Sequence, residues 1–195
     1  MKITVTFTSQ GRMLEGLLFL PESSQGVVPG LLFEGSMTGA TNQIAELIAR
    51  EVSLQGFVCL VMDHSFYGDD EGAAQPWESP SKRLEDIKAA LRFLIDHAAV
   101  DSEKIVGVGV SVGVEYMAQV CRETNYCKGL IMLQGPFDDS QNVTRDLEIP
   151  SIVIDETHLD SAVDEVVLWT RTLFNGSLPE QKNEPQNIDW SRSDK

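Results

Sequence analysis

The chain has 195 residues, a length typical of one domain, with 42% apolar and 23% charged residues, close to the average of soluble globular domains. This composition excludes a largely disordered, collagen-like or coiled-coil protein. The 15 basic and 30 acidic residues give a net charge of −15, which argues against a nucleic-acid or anionic-membrane partner, because both need an excess of Lys and Arg.

The chain carries no sequence signal for secretion or for membrane insertion. Its first residues alternate as in a strand rather than forming a signal peptide, and no run approaches the roughly 18 apolar residues of a membrane span. The three cysteines are odd in number and have no CxxC spacing, and Cys59 lies in an apolar strand pattern that predicts a free, buried thiol. These features predict a cytoplasmic, reduced protein.

The first part of the chain predicts a hairpin and then alternating strands and helices. Continuous apolar runs predict buried strands, whereas apolar residues spaced by three and four predict amphipathic helices. In chain order the elements are strands Ile3–Thr8 and Met13–Leu20, which form the hairpin, strand Val27–Phe33, helix Asn42–Leu54, strand Phe57–Met62 and helix Ser81–Ala98. The segment Asp63–Pro80 is predicted as a long polar loop and a partial cover for a site.

The second part continues the same alternation. Its elements are strand Lys104–Val108, helix Val112–Glu123, strands Lys128–Leu133 and Pro150–Ile154, and helix Ala162–Phe174. Such apolar strands between helices predict an α/β fold, with a mostly parallel sheet covered by helices on both faces. We expect one domain over residues 1–175 and a polar tail over 176–195, which is predicted to be an extended or disordered arm. The alternative is that Trp190 docks on the body or on a second subunit of a homodimer.

The most informative motif is Gly109-Val110-Ser111-Val112-Gly113. A predicted strand leads into this GxSxG sequence and a predicted helix follows it at once, which is the setting of a nucleophile elbow. Such an elbow holds the serine in a strained, exposed turn, and the glycines on either side remove side chains that would collide. The N–H groups at the start of the helix point toward developing negative charge. Ser111 is therefore the candidate nucleophile.

With these pieces in this order, the chain resembles the α/β-hydrolase family, especially compact dienelactone-hydrolase-like esterases and their X-Pro-peptidase relatives. The resemblance covers about residues 13–136. It rests on the GxSxG motif and on four further segments, Leu31–Gly39, Gly56–His64 with Gly68 and Glu71-Gly72, Glu85–Leu94, and Val100–Ile105. It implies a minimal α/β-hydrolase fold without a lid domain.

The resemblance also implies an oxyanion hole. Its donors would be the backbone N–H of Val112 and one N–H of the loop after the third strand, from Gly35 or Ser36, of which Ser36 is preferred. Many relatives carry His-Gly in that loop, whereas this chain has Glu34-Gly35. Because dienelactone hydrolases place a glutamate near their nucleophile, Glu34 either modulates Ser111 or is an ordinary loop carboxylate.

A serine hydroxyl needs a base, and histidine is the usual base in this fold. His64 follows the end of a strand, where relatives often carry a structural residue, and His97 lies near the end of a helix, where a surface or capping role is expected. His158 lies between the last strand and the last helix, where the resemblance places the catalytic histidine. We therefore expect His158 to be the base.

The acidic partner of the histidine is harder to assign, because only 24 residues separate Leu133 from His158. In one interpretation a helix–strand unit is missing, His158 is the base, and the acid is Asp138, Asp139 or Asp155; Asp138 is preferred. In the other, Pro150–Ile154 is the strand that normally carries the acid, Asp160 is that acid, and the final histidine is absent. We favour the first interpretation.

Together these residues predict a serine hydrolase that acts on a small ester or thioester through an acyl-enzyme, with acyl transfer or cyclisation as variants of the same chemistry. No cofactor is expected. Asp155, His158 and Asp160 lack a recognised metal-ligand spacing, so no metal is expected either. The alternative is a non-catalytic binding protein on a degenerate hydrolase scaffold, which the shortened second half of the chain makes credible.

Overall fold

The computed structural model describes residues 1–22, 26–35, 40–63, 79–134, 143, 146–155 and 157–176. These residues form seven strands and four helices. The strands are β1 (Lys2–Ser9), β2 (Arg12–Phe19), β3 (Val28–Glu34), β4 (Val58–Asp63), β5 (Val100–Val110), β6 (Gly129–Gln134) and β7 (Ser151–Asp155). The helices are α1 (Ala40–Leu54), α2 (Pro80–Ile95), α3 (Gly113–Glu123) and α4 (Leu159–Asn175). Every strand and helix predicted from the sequence is present, with ends that differ by a few residues.

The strands form one mixed sheet in the order β1-β2-β4-β3-β5-β6-β7. β1 and β2 are the predicted hairpin, which turns at Gln10 and Gly11, both with positive φ (47° and 79°). β2 pairs antiparallel with β4, and every later pairing is parallel. The predicted α/β fold with a mostly parallel sheet is confirmed, and the described residues contain no inserted lid domain.

The core consists of two apolar clusters, one on each face of the sheet. α2 and α3 cover one face, and α1 and α4 cover the other. In β5, Val106, Val108 and Val110 point toward the α1–α4 cluster, whereas the alternate positions are Gly107 and Gly109. A Cβ on Gly107 would lie 2.7 Å from the sulfur of Met117, so the missing side chains let α3 pack closely on β5.

β5 begins four residues earlier than the sequence predicted. Val100 pairs with Val28, and the register then shifts, so that Ile105 pairs with Gly30. The polar residues in between include an ion pair from Lys104 to Asp101 (3.1 Å). Because the apolar pattern is interrupted there, hydropathy alone identifies only the second half of the strand.

All three cysteines are buried and free, as Cys59 was predicted to be. Among the described helices, none is long and apolar enough to cross a membrane. The predicted loop over Asp63–Pro80 and the predicted tail after residue 176 lie mostly outside the described residues, so both remain predictions.

Candidate functional site

Ser111 lies in the turn between β5 and α3, where the strand–turn–helix motif places it. Its φ is 51°, in the left-handed region that residues other than glycine rarely occupy. The Ser111 N–H donates a hydrogen bond to the carbonyl oxygen of Leu133 on β6 (2.9 Å), and its carbonyl accepts the N–H of Val114 on α3 (3.0 Å). Neighbouring elements therefore hold this strained backbone on both sides.

The two glycines of the motif are required by close approaches of the backbone. A Cβ on Gly109 would lie 2.4 Å from the Cα of Val114, and a Cβ on Gly113 would lie 2.1 Å from the carbonyl oxygen of Glu34. Real Cβ atoms essentially never come within 3.0 Å of another heavy atom, so neither position accepts a side chain in this backbone. The ends of β3 and β5 and the first turn of α3 are thereby packed together around Ser111.

The predicted oxyanion donor Val112 directly precedes α3. Within the described part of the chain, its backbone N–H has no hydrogen-bond partner. N–H groups at the start of a helix carry partial positive charge, so this one could bind an oxygen that becomes negative. Ser36, the second predicted donor, lies outside the described residues, although Gly35 before it is described and buried.

Glu34 ends β3 and is the register partner of Gly109 on β5. Its side chain is fully buried and accepts a hydrogen bond from Nε of Arg83 on α2 (2.6 Å). Arg83 is itself only 1% exposed, and it also donates Nη2 to the carbonyl oxygen of Gly35. Glu34 is therefore a buried, paired carboxylate beside the turn and not a solvated loop residue.

Arg83 is a further polar residue of this region, and its position in α2 carried a signal that could have identified it from the sequence. Arg83 lies four residues before Ile87 and eight before Leu91, so it shares the buried face of the helix. Asp86 lies on that face too, and is 1% exposed; Arg12 on β2 contacts both of its carboxylate oxygens (3.3 Å). Charged residues on an apolar helix face predict ion pairs with little exposure. α2 holds one member of a fully buried pair, Arg83 with Glu34, and one member of a half-buried pair, Asp86 with Arg12.

β6 and β7 continue the same edge of the sheet. Gln134 at the end of β6 is the register partner of Asp155 at the end of β7. The Gln134 side chain is buried, and its Oε1 has no hydrogen-bond partner in the described part of the structure. An unpaired buried acceptor is costly in free energy. Gln134 is thus a second polar group of this region that was not singled out from the sequence.

His158 lies three residues after β7 and immediately before α4, with an exposed side chain. Neighbouring strands are about 4.8 Å apart, so β7 lies roughly 10 Å from β5 along the edge where Ser111 emerges. No hydrogen bond joins His158 to Ser111 among the described residues. The structure thus places both at the same sheet edge but does not pair them, and the assignment of His158 as the base stays a prediction.

The acidic candidates divide into two groups. Asp138 and Asp139 lie outside the described residues. Asp155 and Asp160 are both exposed, one at the end of β7 and the other in the first turn of α4. The pKa of Asp155 is lowered, first by hydrogen bonds from Thr157, whose N–H lies 2.8 Å from Oδ1, and further by the nearby His158.

His64, like Ser36, lies outside the described residues. His97 lies in the turn between α2 and β5, at the opposite end of β5 from Ser111, and its Nδ1 accepts the N–H of Ala99 (3.2 Å). The His97 side chain thus forms a local hydrogen bond within the turn that follows α2. Among the described residues, no three His, Cys, Asp or Glu side chains form a group that could hold a metal ion.

Comparison with known proteins gives partial matches to curated proteins and longer matches to some solved structures. No family model matches the chain. Among curated proteins, it is 25% identical to the quorum-quenching protein AidA of Acinetobacter baumannii over 137 residues, which are 70% of this chain and 44% of AidA. It is 31% identical to the uncharacterised protein PA2218 of Pseudomonas aeruginosa over 108 residues, which are 54% of this chain and 29% of PA2218. The chain thus spans less than half the length of these relatives.

Several solved structures match over most of their own length. Est1E from Butyrivibrio proteoclasticus superimposes with a TM-score of 0.68 at 13% identity, over 88% of this chain and 99% of Est1E. XC6422 from Xanthomonas campestris, described as an α/β serine hydrolase without a lid, gives 0.60 at 13% identity, over 91% and 95%. The dienelactone-hydrolase-like phosphotriesterase P91, from metagenomic libraries, gives 0.61 at 18% identity, over 91% and 77%.

These neighbours include serine hydrolases, esterases and dienelactone-hydrolase-like proteins, the branch that the motifs of the sequence resemble. At these low identities, the superpositions establish only that the folds are the same. The strand order and the position of Ser111 agree with these superpositions. The chain therefore has the α/β-hydrolase fold.

Proposed function

We propose that the chain is a serine hydrolase of esters or thioesters in which Ser111 is the nucleophile. The observation that carries this proposal is the backbone at Ser111, held at a φ of 51° between the end of β5 and the start of α3. A strained turn that two close glycine contacts enforce has a cost in stability, and such strain concentrates at functional sites. The esterases and hydrolases among the structural neighbours support the same class of activity.

In the proposed reaction, Ser111 Oγ attacks the carbonyl carbon of the substrate while His158 accepts the hydroxyl proton. The carbonyl oxygen becomes an oxyanion that receives hydrogen bonds from the N–H groups of Val112 and Ser36. The tetrahedral intermediate then expels the alcohol or thiol, which takes the proton from His158, and an acyl-enzyme remains on Ser111. Water then attacks the acyl carbonyl while His158 accepts its proton, and the intermediate expels Ser111 Oγ, which regains that proton from His158 as the acid is released. An amine or alcohol in place of water would give acyl transfer.

A fluorophosphonate probe tests the proposal directly, because it phosphonylates activated serines. We expect the purified protein to gain one probe adduct, located on Ser111 by peptide mass spectrometry, and to hydrolyse short-chain p-nitrophenyl esters and thioesters. Ser111→Ala should lose the adduct and lower turnover by about 10³-fold or more while remaining folded. Near-wild-type turnover by this variant would exclude Ser111 as the nucleophile.

A non-catalytic binding protein on the same scaffold is the second candidate. It is favoured by the exposed His158, which makes no hydrogen bond to Ser111 within the described residues. Absence of both the probe adduct and ester turnover in the folded wild-type protein would support this candidate. A panel that adds a lactone and a phosphotriester would cover the two activities that the description of P91 names, dienelactone hydrolysis and phosphotriester hydrolysis.

A further inference from the structure

β1 forms one edge of the sheet, and within the described residues it pairs with β2 alone. Its eight residues stay in register with β2 from end to end, without a bulge. Natural proteins protect edge strands with prolines, charged residues or bulges, because free N–H and C=O groups otherwise pair with another strand. β1 contains no proline and no acidic residue, and its single charged residue is Lys2 at the start. This edge therefore lacks the usual protection.

The opposite edge of the described sheet is less suited to pairing. β7 has five residues, it follows Pro150, and it ends at the exposed Asp155. A short edge strand with a proline before it and a carboxylate at its end pairs poorly with a further strand. Of the two edges, β1 is thus the longer and the better template.

The hydrogen bonds of the β1–β2 hairpin show which backbone groups of β1 face away from β2. Met1 and Leu20 exchange two backbone hydrogen bonds (2.6 and 2.8 Å), and such pairs alternate with non-hydrogen-bonded pairs along an antiparallel ladder. The odd-numbered residues of β1 therefore direct their N–H and C=O groups toward β2. The even-numbered residues direct theirs toward the open edge; these are Lys2, Thr4, Thr6 and Thr8.

The side chains of β1 form two rows, one on each face of the sheet. Ile3 and Val5 are half-buried and, together with the buried Phe7, belong to the cluster under α2 and α3. The three threonines of the strand are exposed on the opposite face. The edge thus combines an incompletely covered apolar row with a neutral polar row. Two molecules that each carry a net charge of −15 repel one another, so a strand without acidic residues is a favourable place for them to meet.

We propose that β1 is a dimer interface, at which it pairs antiparallel with β1 of a second copy of this chain. The two seven-stranded sheets then join into one continuous sheet, related by a two-fold axis at Val5. The interface is independent of the proposed hydrolase reaction, because β1 lies four strands from β5 in the sheet.

The positions of the free backbone groups select one register for this pairing. With Thr4 opposite Thr6 of the second copy, all four outward-facing residues of each strand gain a partner. A shift by two residues in either direction leaves Thr8 or Lys2 without a strand partner. In the selected register the apolar row is also self-complementary. Val5 faces Val5 of the second copy, and Ile3 faces Phe7, so each strand covers the half-buried side chains of the other.

Sedimentation equilibrium of the full chain tests the interface. One strand pair is a small contact, so we expect a reversible dimer with a Kd on the order of 10 µM, and an average mass that rises from 21.5 kDa toward twice that value. Thr4→Lys combined with Thr6→Lys places lysines opposite lysines and should raise the Kd about 10-fold or more. The control, Val153→Lys combined with Leu168→Lys, adds the same charge at exposed residues of β7 and α4 and should not raise the Kd. A monomeric wild type at about 500 µM would overturn the proposal, as would a dimer that only the control weakens.

Disulfide crosslinking tests the register and does not depend on the folding of the lysine variants. In the selected register the two Val5 residues form a non-hydrogen-bonded pair with Cβ atoms about 4.5–5.5 Å apart, so Val5→Cys should give a covalent dimer with oxidised glutathione. Thr8→Cys is the control, because its two copies would lie six residues, or about 20 Å, apart along the strands. The native cysteines are buried and should not compete. No covalent dimer from Val5→Cys, or an equal yield from Thr8→Cys, would overturn the proposed pairing.

Discussion

The carbonyl oxygen of Glu34 lies 2.1 Å from the position that a Cβ on Gly113 would occupy. The end of β3 and the first residue of α3 therefore touch backbone to backbone, with Ser111 two residues before the contact. Because neither partner is a flexible side chain, no rotamer change can relieve a clash there. This contact sets the distance between the end of β3 and the start of α3, the two elements next to the proposed oxyanion donors.

Gly113→Ala should therefore be destabilising by about 1–3 kcal/mol and should reduce ester turnover further than the loss of folded protein explains. The measurements are urea unfolding and kcat on the folded fraction. Gly30→Ala, on the strand β3 that also carries Glu34, is the control, since the three atoms nearest to its Cβ would be side-chain ends of Val100, Ile105 and Leu94 at 3.0–3.2 Å. If the two variants lose stability and activity equally, the backbone contact at Gly113 has no special role.

The backbone conformation of Ser111 predicts an unusual order of stability among its variants. A residue with a side chain is strained at a φ of 51°, whereas glycine is not. Ser111→Gly should be more stable than Ser111→Ala by about 1 kcal/mol, even though a glycine makes the unfolded chain more flexible and so favours unfolding. Both should be inactive toward esters. Thermal or urea unfolding of the two variants checks this, and a less stable glycine variant would show that the turn is not strained in solution.

His158→Ala should slow acylation by orders of magnitude, comparable to the loss of Ser111, because a nucleophile and its base act as a unit. His97→Ala should acylate normally, since His97 lies at the other end of β5. Single-turnover acylation by a p-nitrophenyl ester separates this step from deacylation. Normal acylation by His158→Ala would show that the base lies elsewhere or that the triad is incomplete.

The lowered pKa of Asp155 gives a prediction for pH dependence. Its largest cause is hydrogen bonding by Thr157, with His158 adding a smaller effect. A carboxylate whose pKa is lower in the folded than in the unfolded state stabilises the fold at pH values above the unfolded pKa, and this stabilisation is lost as the pH falls through the folded pKa.

Carboxyl NMR titration should therefore give Asp155 a pKa below the ordinary range, and Thr157→Val should raise it. Asp101, whose pKa is lowered mainly by a hydrogen bond from Lys104, serves as the internal reference and should not move in that variant. An Asp155 pKa that Thr157→Val leaves unchanged would contradict the assigned cause.

The sequence by itself determined the number, type and order of the elements, because each depends on local hydropathy period and turn residues. The Val-Gly alternation of β5, the turn at Ser111 and the apolar face of α2 all follow from neighbours within a few positions along the chain. The nucleophile candidate could be predicted for the same reason, since strand, serine and helix are consecutive.

Only the tertiary structure decided which polar groups meet around that serine. Glu34 and Arg83 are 49 residues apart, and their contact depends on α2 covering the face of the sheet beside β3. Burial of Arg83 was encoded in its helical position, but its partners were not, because the strand end that a helix covers depends on strand order rather than on spacing along the chain. The exposed position of His158 at the end of β7, two strands from β5, is likewise set by that strand order.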